Sequence, residues 1–248
     1  MRNKIVMGNW KMNGDSHSMS ILLTGLKEGM PNSVQSVIFP PHPYLAWAQH
    51  RLADSHIAVG AQDISCHDSG AFTGEVSAGM VKDLQCQYTL VGHSERRQYH
   101  HETNAVVADK FSQAQASGLI PVLCVGETLA QRESGQTEQV IAEQLQAVLT
   151  KLSNTSQLRH AVIAYEPVWA IGTGKTALPE QVQQVHAFIR GMIAENCVDT
   201  AQQVQVVYGG SVKPSNAKAL FALPDVDGGL VGGASLQVED FVSIACSV

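Results

Sequence analysis

Cysteine is sparse and scattered in this chain. The five cysteines (Cys66, Cys86, Cys124, Cys197 and Cys246) are odd in number, and none falls in a C-x-x-C pair. That spacing argues against a disulfide framework or a zinc site, and a reducing cytoplasm is the expected compartment. Cys124 ends an apolar run and is read as a packed, inert thiol. Positive charge is also short. Lys and Arg number 16 against 22 Asp and Glu, a net charge of −6, and no basic run exceeds Arg96-Arg97. Nucleic-acid and membrane-surface binding are not expected. Arginine (seven residues) and proline (nine) are modest, which speaks against a thermophile. No apolar run approaches the ~20 residues of a transmembrane helix. The opening segment, residues 1–9, turns polar too soon for a secretory signal. No G-x-G-x-x-G follows the first apolar run, no G-x-x-x-x-G-K-[ST] occurs, and no metal-ligand spacing stands out. The expectation is acid/base chemistry with no cofactor and no metal.

What is present is alternation. Short β-branched runs at Lys4–Asn9, Ser36–Phe39, Ile57–Ala61, Tyr88–Val91, Ile120–Val125, Val162–Tyr165, Val204–Val207 and Gly228–Val231 read as strands. Helical patterns lie between them, at Ser18–Glu28, Tyr44–Leu52, Val76–Leu84, Glu102–Ser117, Thr137–Leu152, Pro179–Glu195, Pro214–Ala222 and Val238–Ala245. Val140, Ile141, Leu145, Val148, Leu149 and Leu152 share one helical face. Pro179 suits a first helical turn, where its missing N–H costs nothing. Eight strands alternating with eight helices imply parallel pairing through crossover helices. The length of 248 residues is close to the roughly 250 of one α/β barrel. We therefore read residues 1–248 as a single-domain (β/α)8 barrel, with a doubly wound open sheet as the alternative.

In such a barrel, functional groups gather at the C-terminal strand ends. Five of these ends are chemically loaded: Asn9-Trp10-Lys11, Gly92-His93-Ser94-Glu95, Glu166, Gly209-Gly210-Ser211 and Gly232-Gly233. Glu166 is the candidate general base, since a fixed, dry carboxylate can take a proton from carbon beside a carbonyl. The glycine-punctuated segment 167–177 after it reads as a lid. His93 sits where a strand stops and a helix begins, which disfavours the imidazolium; a neutral ring could donate to a carbonyl becoming an enolate. Lys11 supplies positive potential without a metal. Gly172, Ser211, Gly232 and Gly233 offer main-chain N–H groups to a phosphate. These features narrow the reaction to isomerisation, aldol-type cleavage or elimination on a small sugar phosphate. No lysine lies inside a strand core to form a Schiff base, and the short lid favours a three-carbon substrate.

The segments Gly8–Gly14, Val91–Arg97, Tyr165–Gly174, Tyr208–Ser211 and Gly232–Leu236 together resemble the triosephosphate isomerase family, in order and over the whole length. The resemblance implies interconversion of dihydroxyacetone phosphate and glyceraldehyde 3-phosphate by a glutamate base and a neutral histidine, a pairing for which the family is itself the type example. It assigns proton transfer to Glu166 and carbonyl polarisation to His93. Lys11 and Asn9 would hold the substrate, and Glu95 and Ser94 would orient their neighbours. Gly172, Ser211, Gly232 and Gly233 would grip the phosphate. Tyr208 and Ser211 would latch the lid. Residues 70–79 resemble the family's interface loop, with Thr73 reaching a partner's Asn9 and Lys11, and so imply a homodimer. No catalytic position departs from the pattern.

Overall fold

The computed structural model describes residues 2–173 and 175–248. Met1 and Gly174, the latter within the expected lid, lie outside them. Eight strands are present: β1 (Ile5–Asn9), β2 (Gln35–Phe39), β3 (Ile57–Ala61), β4 (Tyr88–Val91), β5 (Ile120–Val125), β6 (Val162–Tyr165), β7 (Gln205–Tyr208) and β8 (Gly228–Val231). All neighbours pair in parallel and in chain order. β8 pairs back onto β1, with Ile5 opposite Gly228, so the sheet closes and the open-sheet alternative is set aside.

Alternation along each strand divides the interior in two. Ile5, Met7, Val37, Phe39, Tyr88, Leu90, Val122, Cys124, Val162, Ala164, Val207 and Leu230 fill the barrel. Their neighbours Val6, Ile38, Leu123, Ile163, Tyr165, Val206, Tyr208 and Val231 face the helices. Gly60 leaves room for this filling, since a Cβ there would stand 2.4 Å from a ring carbon of Phe39. Parity then aims the strand-end residues. Asn9 continues the row of Ile5 and Met7, Glu166 that of Val162 and Ala164, and Gly209 that of Val207.

Five strands have the expected bounds, and three shift by one residue. Helix starts moved where a cap decides. The helix expected from Ser18 begins at Ser16, because Asp15 accepts from Ser18 N and Ser18 answers in a capping box. The one expected from Glu102 begins at Asn104 with Thr103 as its cap, leaving Glu102 to pair with Arg96 and Lys110. The expected Tyr44–Leu52 is a 3-10 turn, His42–Tyr44, followed by the helix Leu45–Arg51. Three short helices, Ser94–Tyr99, Leu129–Glu133 and Val198–Gln203, were absent from the eightfold reading, because five or six residues carry too little periodicity. No described helix is long and apolar enough to cross a membrane.

Candidate active site

Asn9, Lys11, His93, Glu166, Gly172, Ser211, Gly232 and Gly233 line one cavity of about 640 Å³ at the C-terminal ends of the strands. Glu166 follows β6 and is 2% exposed. Its main-chain N–H donates to Val125 at 2.7 Å, fixing the backbone against β5. One carboxylate oxygen accepts from Ser94 N at 2.9 Å, and the other lies 3.0 Å from His93 Nε2. Gly209 stands opposite. A Cβ there would come within 2.9 Å of Glu166 Cγ, so the glycine gives the carboxylate its space.

His93 is 6% exposed and caps the helix Ser94–Tyr99. The Glu95 amide donates to its Nδ1 at 3.2 Å. An amide only donates, so Nδ1 carries the lone pair, and a neutral ring must hold its proton on Nε2. That N–H points at Glu166.

Lys11 adopts a left-handed backbone (φ 51°), uncommon for a residue with a side chain. Two contacts hold it there: its N–H donates to Asn9 Oδ1 at 3.0 Å, and its carbonyl accepts from Gln62 Nε2 at 2.8 Å. Its Nζ reaches Glu95 Oε1 at 2.5 Å. Glu95 does not line the cavity; it tethers Lys11 at the mouth.

The cavity lining also includes Gly172, Gly210, Ser211, Gly232 and Gly233. Gly172 is left-handed (φ 69°), and a Cβ on Gly172 or Gly233 would meet nothing within 4 Å. Gly233–Leu236 forms a 3-10 turn, held by Ser235 Oγ donating to the Gly232 carbonyl at 2.6 Å. Lys213 and Asp240 line it too. Sequence reasoning did not single them out.

Glu127 was missed as well. It is fully buried and accepts from Trp169 Nε1 (2.9 Å), Arg132 Nη1 (3.1 Å) and Tyr165 Oη (3.2 Å). Burial and the Glu127 charge push the Tyr165 hydroxyl above the ordinary phenol range. The Tyr208 hydroxyl is buried without a hydrogen bond of good geometry. Burial raises it to about 12, opposed by the nearby Ala177 main chain. Cys124 is wholly buried, and burial raises its thiol well above the usual range, as an inert thiol requires. Thr73 does not line the cavity; it lies in an exposed loop where Phe72 stacks on His67 at 3.8 Å.

Comparison with known proteins points the same way. The family model described as triosephosphate isomerase matches residues 4–248. Relatives named triosephosphate isomerase include one from Stenotrophomonas maltophilia (strain K279a), 57% identical over 246 residues, covering 99% of this chain and 98% of the relative. Another, from Cupriavidus necator, is 55% identical over 244 residues, covering 98% and 99% respectively. A third, from Thiobacillus denitrificans, is 55% identical over 244 residues and covers 98% of each. By sequence, barrel and strand-end constellation, the chain belongs to the triosephosphate isomerase family.

Proposed function

We propose that this chain interconverts dihydroxyacetone phosphate and glyceraldehyde 3-phosphate by proton transfer through an enediolate, as its family membership implies. Glu166 takes a proton from the hydroxymethyl carbon beside the ketone and returns it to the adjacent carbon. His93 donates its Nε2–H to the carbonyl oxygen as negative charge develops there, and carries the proton between the two oxygens. The observation that supports this most directly is the approach of His93 Nε2 to Glu166 Oε1, 3.0 Å, inside a cavity that also holds Lys11. A substrate carbonyl would take over that N–H and leave the carboxylate free to face carbon.

Lys11 and Asn9 hold the substrate's oxygens, and Glu95 and Ser94 orient Lys11, His93 and Glu166. The main-chain N–H groups of Gly172, Ser211, Gly232 and Gly233 hold the phosphate. Residues 167–177 close as a lid and exclude water, with Tyr208 and Ser211 latching it. The loop 70–79 joins two copies into a homodimer, with Thr73 completing the partner's site near Asn9 and Lys11. The cytoplasm is the proposed compartment. A coupled assay of glyceraldehyde 3-phosphate conversion without added metal or cofactor tests the reading. Turnover approaching about 10⁸ M⁻¹s⁻¹ supports it. Binding of phosphate analogues without turnover would leave the barrel and its anion end but remove the catalytic assignment.

A further inference from the structure

We propose that Arg97 is a positioning residue for this reaction: its guanidinium clamps the peptide before His93 and thereby holds the imidazole against Glu166. The inference rests on the isomerase reading above. Three hydrogen bonds carry it. Arg97 Nε donates to the Gly92 carbonyl at 2.8 Å, Nη1 to Asn104 Oδ1 at 2.8 Å and Nη2 to the Cys124 carbonyl at 3.2 Å. These acceptors belong to the end of β4, the helix Asn104–Ala116 and the end of β5. One rigid fork thus joins three elements beneath the histidine, a task a lysine ammonium on a flexible stem does not match.

The clamped peptide needs clamping. Gly92 is left-handed (φ 70°), and a Cβ there would lie 2.7 Å from Val107 and 3.0 Å from Arg97 Nη2. A glycine so placed is flexible unless its carbonyl is held. The next residue is His93, whose extended backbone (φ −51°, ψ 142°) lets the ring turn back and cap its own helix. Rotation of the Gly92 peptide would therefore swing the ring away from Glu166. All three acceptors are neutral, so pairing with a carboxylate does not account for the half-buried cation. Burial draws Arg97 below the ordinary guanidinium value, opposed by the carboxylates of Glu166 and Glu102. A void of about 430 Å³ behind the base is lined by Gly92, Arg97, Cys124 and Glu166, so truncating Arg97 leaves an accessible space.

The experiment truncates the clamp and restores it. Arg97→Ala is expected to lower kcat on the order of 100-fold, the cost of a misplaced reacting group. KM and inhibition by inorganic phosphate should hardly move, because the phosphate end is untouched. Added guanidinium ion, below concentrations that unfold the parent, should restore kcat saturably. Parental kcat in the folded variant overturns the proposal. So does a joint loss of kcat and phosphate affinity without rescue. If Arg97→Ala does not fold, Arg97→Lys decides, with a selective loss of kcat expected and parental kcat overturning the idea. The ring-nitrogen NMR resonances of His93 in the ligand-free protein give a readout without turnover. A changed Nε2–H signal in Arg97→Lys upholds the clamp even if the parent proves inactive, and an unchanged one overturns it.

Discussion

Two buried glutamates stand at the ends of adjacent strands, and their surroundings set them different tasks. Glu127, just beyond β5, is locked: a tyrosine hydroxyl, an indole N–H and a guanidinium all converge on one of its oxygens. Arg132 also lies over the Trp169 ring, 5.1 Å from its centre, so the carboxylate, the cation and the indole form one packed unit. Glu166, just beyond β6, has one amide and one imidazole, opens onto a cavity, and faces a glycine instead of a side chain. Burial alone does not make a base. A carboxylate held by three packed side chains that no ligand reaches is a strut; one with partners that a substrate can displace is poised to react.

The largest test of this contrast is Glu166→Asp. The shorter side chain withdraws the carboxylate by about one methylene and should lower kcat by roughly 10²–10⁴, the usual contribution of a positioned acid or base. KM and thermal stability should change little. Kinetics of the purified variant decide, and parental turnover would remove Glu166 from the role of base.

Glu127→Leu should do the reverse and fall mainly on stability. It strands the Tyr165 hydroxyl, the Trp169 N–H and the Arg132 cation in a buried region, a loss of roughly 3–5 kcal/mol for a broken buried pair. For a chain of this size that corresponds to a melting temperature lower by about 10 °C. If calorimetry found the parental melting temperature, Glu127 would not be a strut.

Acid should reach the locked side through His186. This ring is wholly buried, edge-on to Tyr165, and its Nδ1 meets the Asp225 carbonyl at 3.1 Å while Nε2 has no partner. Burial lowers it to about 4 from its ordinary 6.5. The unfolded chain therefore binds more protons between pH 6.5 and 4, and stability falls as pH drops through that window. The group's share of the loss is about 3 kcal/mol. Urea unfolding at pH 7 and pH 4.5, in the parent and in His186→Phe, should show a shallower loss in the variant. Equal slopes would contradict the assignment.

Much of this was legible in the sequence because it is periodic or terminal. β-Branched runs gave the eight strands, and the rule that function gathers at strand ends gave Asn9, Lys11, His93, Glu166 and the glycine pairs. The same rule, applied to β3 and β5, would have flagged Gln62 and Glu127, which follow Ala61 and Val125 closely. They were passed over because neither sits in a glycine-rich or visibly catalytic stretch. Other features have no local signal at all. Arg97 acquires its meaning from Cys124, 27 positions away, and Glu127 from Trp169, 42 away. Closure of the barrel is what brings such pairs together. Thr73 stands outside this chain's cavity, and the role proposed for it lies in the site of a second copy.

The smallest effect is the finest probe of what frees Glu166. Gly126 and Gly209 both press on this residue, but differently. A Cβ at Gly126 would stand 1.8 Å from the Glu166 carbonyl oxygen, and Gln144 grips the Gly126 peptide from both sides, at 2.8 and 3.0 Å. Backbone cannot yield there, so Gly126 belongs with the locked side. At Gly209 the Cβ would meet Glu166 Cγ at 2.9 Å and the Tyr165 carbonyl at 3.2 Å. The nearer of these is a side chain that can turn. Gly209→Ala should therefore fold with a penalty of about 1–3 kcal/mol from overpacking. Its kcat should fall by about tenfold, as the added methyl narrows the arc through which the carboxylate turns toward substrate. KM should stay near the parent's, because the proposed phosphate site lies elsewhere in the cavity. Should kcat hold while KM rises, the methyl would be obstructing substrate, and the freedom of Glu166 would have to come from a contact other than Gly209.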